Sequence, residues 1–565
     1  MIHFIDFEVF KDNWLAVIAD PSRENLTTIW DDPNALLNYY NDFKNEIFCG
    51  YNIAHYDKYI FQAILCGFNP KEVNDFIIVD EKPGYRFSSL LRKFPLIVYD
   101  AMVKQKSLKQ LEGFMGNKIK ESDVPFDIDR PLTEAEKIEV EAYCMHDVGQ
   151  LMEVFLETKN DFDAHMMLVK TFGLPLSYLS KTQAQLSAII LGCNRKERND
   201  EWDISIIDTL KIKKYKDVVD WFMDEKNHDY SAEYKRNVAG IEHIFAWGGL
   251  HGARTKYFAK GQLLHVDVNS FYPAIMIEYD LLSRNVSGKS KFREIRDTRI
   301  KYKKEKNPLQ APYKIVINST YGICKDKYSS AYDPRQANNI CVNGQLLLLD
   351  LIEHLEVIPG FELVQSNTDG LIIKIPDTDE AFNDVDDICY EWEQRTRMGL
   401  GFDAVKAIWQ KDVNNYIFQF DNGKLEKKGA YVKDLGPLDN DLPIVNKALV
   451  DCMVNGIPIE ETILSCDELK QFQMVKKISG KYSGLYHGKA LLNEKCVRVF
   501  ASKDENKPGL FKLHATTNRF AKVENSPEHC FLFNDNVNGL KCPRELDKQW
   551  YINKAKERLE GFGIV

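Results

Sequence analysis

Short apolar runs that carry an aspartate at or near one end recur along this chain, and they constrain its fold more than any other feature. IHFIDFE (2–8) reads as a buried strand with Asp6 and Glu8 toward its end. GQLLHVDV (261–268) reads as a strand that reaches Asp267 just before a turn. FELVQSNTDGLIIKI (361–375) reads as two apolar strands, joined by turn-forming residues that include Asp369. Around the first run, WLAVIAD (14–20) looks like a partner strand. Residues 46–68 combine a strand (EIFCGYNI) with a helix (YDKYIFQAILCGF), whose apolar positions 59, 60, 61, 64 and 65 have helical spacing. A second helix is predicted over 131–157, opened by a capping-box pattern at Thr133 and Glu136. The first 160 residues therefore read as α/β.

Further on, 160–240 reads as mixed and mostly helical, 284–306 and 311–325 as helices, and 415–432 as strand-rich. The last 130 residues mix helix and strand, with no internal repeat and no low-complexity segment. A length of 565 residues exceeds one ordinary core, so three to five domains are expected.

Composition removes several classes. A hydrophobic fraction of 44% and a charged fraction of 28% describe a soluble globular protein. No apolar run approaches the roughly 20 residues that span a bilayer. The opening MIHFIDFEVF has no basic segment and does not read as a signal peptide. Twelve cysteines without a CxxC pair argue against a zinc or iron–sulfur site, and fit a reducing cytoplasm. The net charge of −10 hides a local exception: residues 284–328 hold 13 Lys/Arg against four acids, a balance of +9 that could contact phosphates or form a solvated helix face.

Two constellations carry chemistry. In the first, Asp6 and Glu8 share one face of a strand. Asp57 follows in Asn52-Ile-Ala-His-Tyr56-Asp57, and Asp147 in Tyr143-Cys-Met-His-Asp147. Clustered carboxylates suit two metal ions about 3.5–4 Å apart that activate water and stabilise a leaving oxygen, with Mg²⁺ preferring oxygen ligands. In the second, His265-Val-Asp267-Val-Asn-Ser270-Phe-Tyr272-Pro273 precedes Ser366-Asn367-Thr368-Asp369-Gly370. Between them, Lys314, Asn318 and Tyr321 fall at i, i+4 and i+7 on one helix face, offering a cation, an amide and a ring. These suit a triphosphate, a sugar and a base, and two carboxylates with cations nearby suit nucleotidyl transfer.

The first set, in order, resembles the three exonuclease motifs of proofreading DNA polymerases. The second resembles motifs A, B and C of family B DNA polymerases, and the whole is similar to that family in its phage type, over residues 2 to about 432. The fold that the resemblance implies is multidomain, α/β and α+β: a ribonuclease H-like exonuclease domain, then a right hand of palm, fingers and thumb. The expected segments are exonuclease 1–160, a helical link 161–239, palm 240–283, fingers 284–322, palm again 323–434, and thumb with the C-terminal region 435–565. The resemblance implies metal ligation by Asp6, Glu8, Asp57 and Asp147, with Tyr143 orienting water, and palm metal ligation by Asp267, Val268 and Asp369. It implies Lys314 on the incoming triphosphate with Asn318 and Tyr321 close by, Tyr272 as the gate against a 2′-hydroxyl, and Arg299 and Lys303 as lesser triphosphate contacts.

Trp247-Gly248-Gly249 resembles a template-contacting Tyr-x-Gly-Gly segment, Lys427-Lys428-Gly-Ala-Tyr431 resembles a primer-binding motif, and Asn52 joins these as an expected DNA contact. An ordinary turn at the glycines and an exposed hairpin at the lysines remain open as structural readings. The implied cofactor is Mg²⁺, two per active site with Mn²⁺ able to substitute. The implied partners are primer–template DNA, dNTPs and replication accessory proteins, with no membrane, in the cytoplasm of the cell or host.

One position departs from the family pattern: Asn367 stands where motif C usually has its first aspartate. Two rival readings stay open, a nuclease with a vestigial polymerase half and a primer–template clamp without chemistry. Pro273 to Lys314 is 41 positions and Gly322 to Asp369 is 47, too short for the inserts of protein-primed phage relatives. A nucleic-acid primer and weak unaided strand displacement are therefore expected. The C-terminal EGFGIV is read as the end of a last helix.

Overall fold

The alternation of IHFIDFEV decides the first sheet. Ile5, Phe7 and Val9 join a core with Ala16, Ile18, Phe48, Ile60, Phe61 and Ile64, while the even positions turn to the opposite face. There Phe4 meets Phe155 edge to face at 5.1 Å, and the Cys144 thiol approaches Asp6. The helix Glu134–Glu157 therefore covers one face of the strand Ile2–Val9, and the helix Asp57–Leu65 covers the other. The sheet has five strands in the order Leu26–Trp30, Trp14–Ala19, Ile2–Val9, Ile47–Gly50, Ile97–Asp100. The first three pair antiparallel and the last three parallel. The expected capping box forms: the Thr133 hydroxyl accepts from the Glu136 amide, and the Glu136 carboxylate accepts from the Thr133 amide.

This computed structural model describes residues 1–22, 26–439 and 442–564. The C-terminal Val565 of the expected last-helix ending lies outside the described residues; the helix before it, Lys548–Glu560, is present. Two compact units divide the chain. One contains Met1–Lys181, Leu435–Val445 and Glu460–Asn553; the other contains Thr182–Asp434, Asn446–Ile459 and Lys554–Val565. The units are interleaved in sequence, so most of the expected C-terminal segment 435–565 packs with the first unit.

Arg498 is one reason. It sits at 0% exposure on the strand Cys496–Ala501 and donates to the carbonyls of Gly113, Asn117 and Asp535 and to the Gln473 side chain. A buried guanidinium needs that many acceptors, and they are supplied by segments remote in sequence. The helix Leu108–Met115 is thereby fastened to the late strands.

In the second unit, nine strands form one sheet with antiparallel neighbours throughout. The order is Leu425–Lys428, Asn415–Phe420, Leu400–Asp412, Tyr257–Val268, Gly370–Lys374, Glu362–Asn367, His251–Ala253, Ile241–Ala246, Glu233–Val238. The predicted helices appear at Lys289–Lys304 and Gln310–Lys325.

The mostly helical expectation for 160–240 is corrected over 193–214, which runs without a helix. Several amides of this strap are satisfied on side chains of the buried helix Pro334–Leu355. Ser205, Ile207 and Lys211 donate to the side chains of Asn339, Asn343 and Asp350 at 2.6, 3.0 and 2.7 Å. Among the described residues, no helix is long and apolar enough to cross a membrane.

Candidate functional sites

In the first unit the four predicted carboxylates come to one place. Asp6 and Glu8 lie on the face of their strand that the helix Glu134–Glu157 covers, and Asp147 and Tyr143 project from that helix one turn apart. Asp57 is the first residue of its own helix, reached through a tight turn at Asn52, whose φ of 67° is left-handed. The turn is held by Asp100, whose carboxylate accepts from the amides of Asn52 and Ala54 at 2.9 and 3.1 Å.

Ligand atoms of Asp6, Glu8 and Cys144 lie within 4.8 Å of one another, and so do those of Glu112, His146 and Asp147. The electrostatics are those of anions gathered out of water. Burial, then the Asp147 charge, pushes the Asp6 carboxyl up to about 7. Glu8 and Asp57 are raised well above the usual carboxylate range by burial and then by Asp6. Asp147 is raised by burial, against the opposing pull of Lys109. Burial and the neighbouring acids also push the Tyr143 hydroxyl up, so it stays protonated. Asp57 is 3% exposed, and its Oδ1 has no hydrogen-bond partner.

Sequence reasoning missed Lys109, whose ammonium contacts Asp147 and Glu112 and lies 4.6 Å from the Tyr143 ring centre. Its signal was the capping box at Ser107 and Gln110, which puts Lys109 in a first helical turn. Asp100 and Cys144 were missed as well. His146 reaches Glu112 at 3.4 Å.

In the second unit Asp267 is the next-to-last residue of the strand Tyr257–Val268, and Asp369 occupies the turn between Glu362–Asn367 and Gly370–Lys374. The Val268 amide donates to the Asp369 carbonyl at 2.8 Å. Asp267 lies opposite Gly370 on one side and Gly401 on the other, which leaves room for its carboxylate. A Cβ at Gly401 would stand 2.8 Å from Asp267 Oδ1. The turn needs a left-handed Thr368, with φ 53°. Burial raises the Asp369 carboxyl, and Asp267 adds to the rise.

His265, Asp267 and Asp403 bring ligand atoms within 4.8 Å; Asp403 was missed because it belongs to a strand remote in sequence, paired opposite His265. Tyr272 meets Tyr321 with ring centres 4.5 Å apart, which ties the helix carrying Lys314 and Asn318 to this site; both of those side chains are exposed. Arg299 Nη1 donates to Ser270 Oγ at 2.9 Å, while its Nε is buried without a partner. A cavity of about 520 Å³ there is lined by Asn269, Ser270, Arg296, Arg299, Lys303 and Arg397.

The weaker sequence signals divide. Gly249 lies against the Asp369 turn, a Cβ there standing 3.0 Å from Thr368 Oγ1, whereas Gly248 has open space. Trp247 is a core residue, packed on Trp202, Trp221 and Phe222. Lys427 pairs with Asp434, and Lys428 lies 5.7 Å from the Tyr416 ring centre. Tyr431 is flanked by Lys411 and Arg558 at 5.5 and 4.5 Å.

No protein-family pattern and no curated protein sequence matches the chain. Among solved structures it is similar to the family B DNA polymerase from the hyperthermophilic archaeon Pyrobaculum calidifontis, with 13% identity and a TM-score of 0.44, over 100% of this chain and 78% of that one.

Proposed function

We propose that this chain is a DNA-templated DNA polymerase that extends a nucleic-acid primer, with a separate site for 3′–5′ proofreading hydrolysis. The observation that carries the reading is that each compact unit gathers its own set of carboxylates, in the motif order expected from the sequence. The first set suits divalent metal: buried anions raise one another, and an orphaned Asp57 oxygen lacks any protein donor. Asp6, Glu8, Asp57 and Asp147 are the groups open to metal in the first unit, and Asp267, Asp369 and the Val268 carbonyl those in the second. Bound Mg²⁺ would supply charge stabilisation of the reacting phosphate and its attacking and leaving oxygens.

The chain's own residues do the rest. The protonated Tyr143 hydroxyl can donate to a water held beside the scissile phosphate. Arg299 and Lys303 lie on the basic cavity and would neutralise a triphosphate there, with Lys314 as a further cation. The Tyr272 ring, packed on Tyr321, would exclude a 2′-hydroxyl from the nucleotide site. In this reading the helices Lys289–Lys304 and Gln310–Lys325 would serve as fingers and the nine-stranded sheet as palm.

Asn367 favours one alternative, a nuclease whose polymerase half is vestigial, because it removes a negative charge beside Asp369. Primer extension separates the two. A 5′-labelled primer–template is incubated with Mg²⁺, with and without dNTPs, using the parent, Asp369→Ala and Asp6→Ala. The expected result is extension lost only in Asp369→Ala and shortening lost only in Asp6→Ala. A parent that shortens but never extends is the nuclease, and one that does neither is a binding protein.

A further inference from the structure

The ammonium of Lys109 stands among the acidic groups of the first unit. Glu112, His146 and Asp147 bring ligand atoms within 4.8 Å, the spacing of a metal-binding set. Lys109 Nζ contacts Glu112 Oε1 at 3.1 Å and Asp147 Oδ1 more closely still, above the face of Tyr143. The lysine side chain is 12% exposed and that of Glu112 is 0% exposed, so this charge is embedded in the site. Its backbone is fixed at both ends of a short helix: the capping box at Ser107 opens it, and Arg498 holds the Gly113 carbonyl near its close. Among the described residues, no cation is paired with Asp6, Glu8 or Asp57 at the other end of the cluster. Asp57 Oδ1 is buried without a partner, and Asp6 Oδ2 has the Cys144 thiol at 3.6 Å.

We infer that Lys109 is a built-in cation that replaces one of two divalent ions, so that this cluster takes a single ion on Asp6, Glu8 and Asp57. A second ion on Asp147 would have to expel the ammonium from both Asp147 and Glu112, and would sit a few ångströms from a like charge in a poorly screened site. The inference rests on reading the first unit as a metal-dependent exonuclease site, and its test keeps the two apart.

Mn²⁺ is counted by calorimetric titration on the full chain, in an Asp267→Asn/Asp369→Asn background that silences the second unit. The background binds one ion that Asp6→Asn removes. Lys109→Met adds a second ion, Lys109→Gln does the same should the methionine variant fail to fold, and Lys109→Arg, which keeps the charge, does not. Two Asp6-dependent ions in the background overturn the inference without any lysine variant. An unchanged count in Lys109→Met or Lys109→Gln also overturns it, and leaves the metal site intact. Binding that Asp6→Asn does not reduce overturns the exonuclease reading itself.

Discussion

The Val268 amide donates to the Asp369 carbonyl at 2.8 Å, so the two aspartates of the second unit are joined through backbone. Their separation is set by strand register, with Gly370 directly opposite Asp267, and does not depend on side-chain rotamers. The site is therefore sensitive to small changes in the strands around it.

Gly401→Ala tests that sensitivity. Its Cβ would lie 2.8 Å from Asp267 Oδ1, the movable end of a side chain, so the fold should persist while the carboxylate shifts. A displacement on the order of 1 Å at a reacting centre costs about 10²-fold. Single-turnover extension should fall by roughly that factor, with the thermal midpoint and the rate of primer shortening unchanged. Full extension activity in this variant would mean that Asp267 does not need its observed position.

Asp57→Asn removes a buried negative charge that repels Asp6 and Glu8 and has an unpaired oxygen. In EDTA the variant should be more stable than the parent, by about 1–3 kcal/mol. It should also lose primer shortening. Urea melts in EDTA decide it: a variant that is less stable than the parent contradicts the reading of Asp57 as a carboxyl whose ionised form the folded protein disfavours.

The same repulsion sets a pH dependence. Asp6 is pushed from 3.8 up to about 7, so the folded protein favours its protonated form. The stability this contributes is full below about pH 4 and is lost as pH rises through about 7. Glu8, Asp57 and Asp147 shift in the same direction. In EDTA the thermal midpoint should fall across that window, and Mg²⁺ should restore it, with a larger gain at about pH 8 than at about pH 5. Equal Mg²⁺ gains at both pH values would count against a metal site on these carboxylates.

Gly252→Ala probes the support of the Asp369 turn. A Cβ there would stand 2.4 Å from the His243 ring, which is fully buried between the Ile241 carbonyl at 3.0 Å and Ser366 Oγ at 2.6 Å. The ring has no room to retreat, so the variant should lose about 1–3 kcal/mol together with part of its extension activity. A urea midpoint equal to that of the parent would show that the ring can move.

The ordered motifs that resemble a known polymerase family marked Asp6, Glu8, Asp57, Asp147, Asp267 and Asp369, and strand alternation put Asp6 and Glu8 on one face of their strand. The capping box at Thr133 and the helices at 289–304 and 310–325 were legible for the same local reason. Lys109, Asp403 and Arg498 were not. Lys109 matters only because a helix packs beside Asp147, Asp403 because its strand pairs opposite His265, and Arg498 because carbonyls from distant segments surround it. The strap at 193–214 falls in a stretch expected to be mostly helical, and the difference arises because several of its amides bond to the side chains of a buried helix. Local periodicity determines which face a side chain occupies; which charges share that face is decided by long-range pairing, and only the tertiary structure contains it.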